Sequence, residues 1–225
     1  MAVYALCIIG LAIQVCFIIT ENRKKYTPAV VLKGCASLVF VALGLITMAA
    51  AQDQRFARLV VIGLILGAVG DVLLNLRFVF EKAGQKIFLV GIAAFLSGHI
   101  LYLAALIPGS RNLPVCLVCG VAAAALLLWW IFSRVGKVKK AFKIVGIVYI
   151  GAIVLLTAVA IGRLVSSPDS TGALLYVCGA LLFTASDVIM ILNTFGDTPR
   201  ASMRAANLTL YYLGQLLIAL SLTHF

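Results

Sequence analysis

Two aspartates lie inside apolar stretches of this sequence, where a charged side chain is costly. Asp71 falls in a segment with no other charged residue between Arg58 and Arg77, and Asn75 follows it one helical turn later. Asp187 lies in a second such stretch. An ionisable group in membrane hydrocarbon costs about 2.5–3.5 kcal/mol on insertion scales and by default marks a functional site. The two carboxylates are therefore the first candidates for chemistry.

Two carboxylates that face one cavity can act as general acid and general base, one neutral and the other ionised. Gly63 and Gly67 precede Asp71 at intervals of four residues, and such a face lets another helix approach closely. We therefore expect Asp71 to point into a helix bundle. The alternative is that the carboxylates only hold helices together through hydrogen bonds.

Further polar residues lie within the same apolar stretches and are candidates for binding or supporting roles. They are Lys33, Asn75, His99, Tyr102, Ser186, Asn193, Tyr211, Tyr212 and Gln215. Lys33 can either extend to the membrane surface or pair inside the bundle. His99 can serve the site or be a hydrogen-bonded packing residue. Cys116-x-x-Cys119 has metal-like spacing, but small apolar filler is the favoured interpretation of both cysteines.

The elements that position these residues follow from composition. The 225 residues are 64% apolar and 11% charged, with a mean hydropathy of +1.18, so an integral membrane protein is predicted. Charged or Pro/Gly breaks divide the chain into eight candidate transmembrane helices within a single transmembrane domain, 1–225. Their expected spans are 2–20, 28–50, 57–76, 87–107, 113–132, 142–165, 172–194 and 205–223. The predicted fold is one all-α bundle.

The basic residues predict its orientation. The loops at 21–27, 77–86, 133–143 and 195–204 carry thirteen of the eighteen Lys and Arg, and the opposite loops carry four. By the positive-inside rule the thirteen face the cytoplasm, in the cell or inner membrane, and both termini lie outside. The net charge of +11 thus reflects topology and attraction to membrane lipids, and gives no support for nucleic acid binding.

A weak internal repeat links the two aspartates. Asp71 precedes His99 by 28 residues, as Asp187 precedes Gln215. At the resulting offset of 116, glycines 63 and 98 fall on glycines 179 and 214. The third and seventh spans also run in the same direction, which predicts two parallel four-helix repeats with carboxylates at matching depth.

Four motifs stand in order along the chain: Gly70-Asp71, Phe95-x-x-Gly98-His99-x-x-Tyr102, Ser186-Asp187 and Tyr211-Tyr212-x-x-Gln215. Their order, spacing and placement resemble the YhhN family of eight-helix membrane proteins, whose characterised animal members are lysoplasmalogenases. The resemblance covers nearly the whole chain. It departs at Lys33-Gly34, where the family has Lys-Pro.

The resemblance implies hydrolysis of the vinyl-ether bond of a lysoplasmalogen, an ether lipid, to a fatty aldehyde and a glycerophospho-alcohol. One of Asp71 and Asp187 would protonate the β-carbon, and the other would stabilise the oxocarbenium ion and activate water, with no metal or organic cofactor. Basic residues such as Arg77 would meet the phosphate of the lysophospholipid. Which aspartate is the acid, the headgroup preference and the oligomeric state stay open. The competing class is a proton-coupled transporter or lipid-binding protein without hydrolytic chemistry.

Overall fold

The computed structural model describes residues 2–136, 140–196 and 198–225. These residues form eight long α-helices and no β-strand, which confirms the all-α prediction. Each helix is long and apolar enough to cross a membrane. The helices are α1 Ala2–Asn22, α2 Tyr26–Met48, α3 Gln54–Leu76, α4 Gly84–Leu106, α5 Leu113–Phe132, α6 Lys140–Ser166, α7 Thr171–Phe195 and α8 Ala201–Ser221.

Apolar runs of this length form helices because a backbone in hydrocarbon must satisfy its own hydrogen bonds. Polar side chains begin some of them: Asp53 accepts the amide of Phe56 at 2.9 Å and so caps α3. Several helices extend past the apolar spans. Helix α2 starts at Tyr26 and holds Pro28 in its first turn, where a missing amide hydrogen is tolerated.

The helices pack in a pattern that repeats after four elements. Helix α3 lies against α4 and α2, and α7 lies in the same way against α8 and α6. The outer pairs α1–α2 and α5–α6 also correspond. Contacts of α4 with α6 and of α8 with α2 join the halves, again as an equivalent pair.

The glycines of the sequence repeat lie at the closest helix crossings. A Cβ added to Gly98 on α4 would lie 3.0 Å from the carbonyl oxygen of Gly63 on α3. A Cβ added to either Gly179 or Gly214 would lie 2.8 Å from the carbonyl oxygen of the other. Only glycine allows backbones to approach this closely, so each crossing fixes the depth of the aspartate two turns further along its helix.

Candidate active site

Asp71 is buried on α3 and receives contacts from two neighbouring helices. The hydroxyl of Ser37 on α2 donates to its Oδ2 at 2.6 Å, and the hydroxyl of Tyr211 on α8 donates to the same oxygen at 2.8 Å. The ammonium of Lys33 lies 3.2 Å from Oδ1. Two hydroxyl donors and a cation are the partners that suit a carboxylate anion.

Lys33 is 2% exposed and does not extend to the membrane surface. Its Nζ lies 4.7 Å from the ring centroid of Tyr211 and 5.2 Å from that of Phe17, so aromatic faces surround the ion pair. Of the two alternatives for Lys33, the geometry therefore favours pairing inside the bundle.

Asp187 is equally buried on α7 but has different partners. The hydroxyl of Tyr149 on α6 donates to its Oδ2 at 2.9 Å. Among the described residues, no Lys or Arg forms an ion pair with this carboxylate. A carboxyl group without a cation in an apolar setting suits the neutral form, because an isolated buried charge is costly.

Both carboxylates line one cavity near the end of the bundle where Lys24, Arg77 and Arg204 lie, here called the basic end. The cavity measures about 30 Å³, which at roughly 10–15 Å³ per molecule leaves room for about two waters. Other residues that line it are Lys33, Asn75, Phe95, Tyr149, Asn207 and Tyr211. A carboxyl group that suits the neutral form, a carboxylate beside a cation and room for water are components that general acid–base hydrolysis can use.

The partners of the two aspartates occupy equivalent places in the repeat. At the offset of 116 that relates Asp71 to Asp187, Lys33 on α2 falls on Tyr149 on α6. Each side chain contacts the aspartate of its own half. The repeat therefore places the same site twice, with a cation in one half and a phenol in the other.

A second layer of polar residues supports Tyr211. The hydroxyl of Tyr102 donates to Oε1 of Gln215 at 2.9 Å, and Nε2 of Gln215 donates to the hydroxyl of Tyr211 at 3.4 Å. Tyr211 in turn donates to Asp71. Tyr102 and Gln215 thus reach the carboxylate through Tyr211.

Other sequence candidates lie away from the carboxylates. His99 packs among aromatic rings, with centroids 4.7 Å from Phe183 and 5.4 Å from Tyr149, and its Nδ1 has no partner within the described part of the chain. Tyr212 donates to the carbonyl of Ala36.

The remaining candidates are Ser186 and Asn193 on α7 and Asn75 on α3. The side chain of Asn207 donates to the carbonyl and the hydroxyl of Ser186 at 2.9 and 2.8 Å. Asn193 accepts the backbone amide of Arg200 at 2.7 Å. Asn75 lines the cavity, and its Nδ2 has no partner in the described ranges.

Sequence reasoning missed four residues of the site: Ser37, Tyr149, Arg204 and Asn207. Two of them had a signal. Ser37 lies one helical turn after Lys33, and Tyr149 is the equivalent of Lys33 in the repeat. Arg204 is the last residue of the basic loop 195–204 and Asn207 lies three residues beyond it, where nothing in their spacing distinguishes them from surface residues.

A larger polar recess of about 490 Å³, here called the vestibule, opens next to the cavity at the basic end. Met190, Arg204 and Asn207 line both spaces. Basic residues around the vestibule are Lys24, Arg77, Arg200 and Arg204. The guanidinium of Arg204 makes two hydrogen bonds to the carboxylate of Glu21, at 2.9 and 3.0 Å.

Arg77 follows the last residue of α3 at the wall of the vestibule. Its guanidinium lies 4.6 Å from the ring centroids of both Phe78 and Phe88, and its Nε has no partner among the described residues. Burial, assisted by the charge of Arg204 and opposed by that of Glu21, lowers the pKa of Arg77 to about 10. It therefore stays cationic at neutral pH and can receive an anion.

Comparison with known proteins identifies relatives of this chain. A family model described as the YhhN family matches residues 29–222. Over 165 residues, 71% of this chain, the sequence is 34% identical to lysoplasmalogenase TMEM86B of Sus scrofa. That match covers 61% of the relative, so the chain spans less than two thirds of its length. No solved structure matches the chain at a significant level.

Proposed function

This chain belongs to the YhhN family, and on that basis we propose that it hydrolyses the vinyl-ether bond of lysoplasmalogens inside the membrane. A lysoplasmalogenase among its relatives supports the reaction class. The observation that carries the proposal is that two buried aspartates line one cavity with different partners. The pairing of Asp71 with Lys33 has no counterpart at Asp187 within the part of the chain that the structure describes, and it distinguishes the two carboxylates chemically.

Asp187 is the general acid in this proposal. It donates its proton to the β-carbon of the vinyl ether, and the electron pair of the double bond forms the new C–H bond. The product is an oxocarbenium ion, and Asp187 becomes an anion. The hydroxyl of Tyr149, 2.9 Å from Oδ2, then stabilises the new negative charge.

Asp71 is the general base. Lys33, Ser37 and Tyr211 hold its carboxylate as an anion in the resting site. A water in the cavity attacks the oxocarbenium carbon and gives a proton to Asp71, which forms a hemiacetal. Asp71 returns this proton to the ether oxygen as the C–O bond breaks, and the hemiacetal hydroxyl gives its proton to Asp187. Aldehyde and alcohol leave with both aspartates in their starting states.

The vestibule receives the headgroup. Arg77, Arg200 and Arg204 lie around a polar space that borders the cavity, and a phosphate group is the part of the substrate that pairs with guanidinium. Arg204 lines both spaces, so a phosphate bound there sits close to the ether bond that the aspartates must reach.

Hydrolysis in heavy water tests both the reaction and its first step. Purified protein is incubated with a lysoplasmalogen in D₂O, and the aldehyde is trapped at once as a hydrazone. We expect one deuterium on the carbon next to the aldehyde, because protonation occurs at the β-carbon. A saturated lyso-ether analogue serves as the control and should give no aldehyde. Accumulation of intact lipid without aldehyde would instead support the carrier function.

A further inference from the structure

An apolar groove, here called the side groove, begins at the cavity and runs between α4, α6 and α7. It shares Ile92, Tyr149 and Met190 with the cavity of the aspartates. It continues towards α5 through a second apolar pocket, with which it shares Phe142, Gly146, Ile191 and Phe195. The carboxylate cavity therefore has a polar side at the vestibule and an apolar side at the side groove.

The proposed reaction requires two such exits. The double bond of the vinyl ether joins the first two carbons of the hydrocarbon chain. A substrate with this bond at the aspartates therefore has its headgroup on one side of the bond and the rest of its chain on the other. The chain must leave the cavity within a few carbons of the reacting bond. The side groove starts at Tyr149, the residue that contacts Asp187.

We infer that the side groove holds the hydrocarbon chain of a single-chain ether phospholipid, and that Gly146 sets how much chain it accepts; this inference rests on the proposed function. Gly146 lines both parts of the groove, and a Cβ there would meet nothing within 4 Å. It lies three residues before Tyr149, about 4.5 Å along the helix. A large side chain at Gly146 divides the groove a short distance from the carboxylates.

The lining of the groove fits this occupant. Phe142 on α6 lies between Phe88 on α4 and Phe195 on α7, with ring centroids 5.9 and 6.1 Å apart. These rings and Ile191 offer an apolar wall to methylene groups. A second acyl chain would need its own path, and the described residues form one apolar groove that starts beside Asp187, which matches a lysolipid.

Gly146→Phe tests the assignment, with Gly151→Phe as the matched control. Both glycines lie on α6 with open space around a Cβ, but Gly151 lies five residues on and lines no part of the groove. Substrates are lysoplasmalogens with a but-1-enyl or a hexadec-1-enyl chain. We expect Gly146→Phe to lower kcat/KM for the long chain at least tenfold more than for the short chain, and Gly151→Phe to leave both values unchanged. Equal effects on the two chain lengths would overturn the inference.

A labelling experiment places the chain without relying on turnover or on a variant. The probe is a saturated lyso-ether phospholipid with a diazirine in its chain. The labelling of the side groove is compared with that of the lipid-facing groove between α2 and α3 at Leu38 and Val69. We expect labelled peptides around Phe142 and Phe195, suppressed by excess unlabelled lyso-ether lipid and not by diacyl lipid. Label confined to the α2–α3 groove would overturn the inference. Aldehyde release with no chain-length effect of Gly146→Phe would refute the assignment of the groove and leave the proposed reaction standing. Labelling of the side groove by a protein that releases no aldehyde would refute the proposed reaction and leave the assignment of the groove standing.

Discussion

The two aspartates should respond differently to the same substitution. Asp71→Asn removes the anion beside Lys33 and leaves a buried ammonium without its partner. At the observed 3.2 Å and an effective dielectric constant of about 20, the attraction between the charges is about 5 kcal/mol. That attraction offsets the desolvation of both groups, so breaking the pair should lower the free energy of unfolding by about 3–5 kcal/mol.

Asp187→Asn leaves no cation unpaired, and the amide oxygen can still accept the hydroxyl of Tyr149. Its free energy of unfolding should therefore change by about 1 kcal/mol or less. Both variants should nonetheless lose several orders of magnitude in turnover, since one acid–base group contributes about 10²–10⁴-fold and charge stabilisation adds to it.

The assay combines unfolding in mixed detergent micelles with aldehyde release per folded molecule. Lys33→Met/Asp71→Asn removes both charges and provides the control: its stability should recover towards wild type while its activity stays absent. Equal destabilisation by the two single Asn variants would refute the assigned difference in charge. Near-wild-type turnover in either variant would rule out that aspartate as a catalyst.

Three further predictions concern the surroundings of the carboxylates. Tyr149→Phe should lower kcat by about 10- to 100-fold, because a hydrogen bond to a charged group contributes about 1.5–3 kcal/mol. The control is Tyr212→Phe, which loses the hydrogen bond to the Ala36 carbonyl and should keep its kcat per folded molecule. The pKa of about 10 at Arg77 predicts that KM for the lysophospholipid stays level from about pH 7 to 9 and rises above about pH 10, as the guanidinium loses its proton. The rise should be absent from a KM–pH profile of Arg77→Gln. His99→Phe should keep kcat within about tenfold, because the ring packs among aromatic side chains; a loss above about 10²-fold would assign it a proton-transfer role.

The sequence predicted the helices well because a membrane imposes one solution on any long apolar run. The same constraint made Asp71 and Asp187 visible, since carboxylates in such runs are rare. The side of the helix on which Lys33 lies was harder to predict. A lysine at this depth in the membrane can either pair inside the bundle or extend to the membrane surface. Only the packing of α2 against α3 and α8 decides between these two positions of the Lys33 side chain.

Tyr149 and Ser37 were missed for a different reason. Tyrosine and serine are ordinary residues in apolar helices, and neither carries a charge that demands an explanation. The offset of 116 relates glycines and polar residues of the same kind on α3, α4, α7 and α8, whereas on α2 and α6 it relates the unlike residues Lys33 and Tyr149, which sequence similarity does not bring out. The single transmembrane domain, the loop orientation and the catalytic roles stay predictions.

The difference between the halves would also allow one cavity to hold both the acid and the base of the proposed mechanism. Identical surroundings would give two carboxylates the same preference for a proton, and only their mutual repulsion would separate them. Here the repeat places Lys33 and Tyr149 at equivalent positions, so one aspartate faces a fixed cation and the other a neutral hydroxyl. In the proposed mechanism this difference, together with the hydroxyls of Ser37 and Tyr211, gives the resting charge to Asp71 and the transferable proton to Asp187. In the proposed mechanism the vestibule and the side groove orient the lipid, because its phosphate and its chain leave the cavity through different openings.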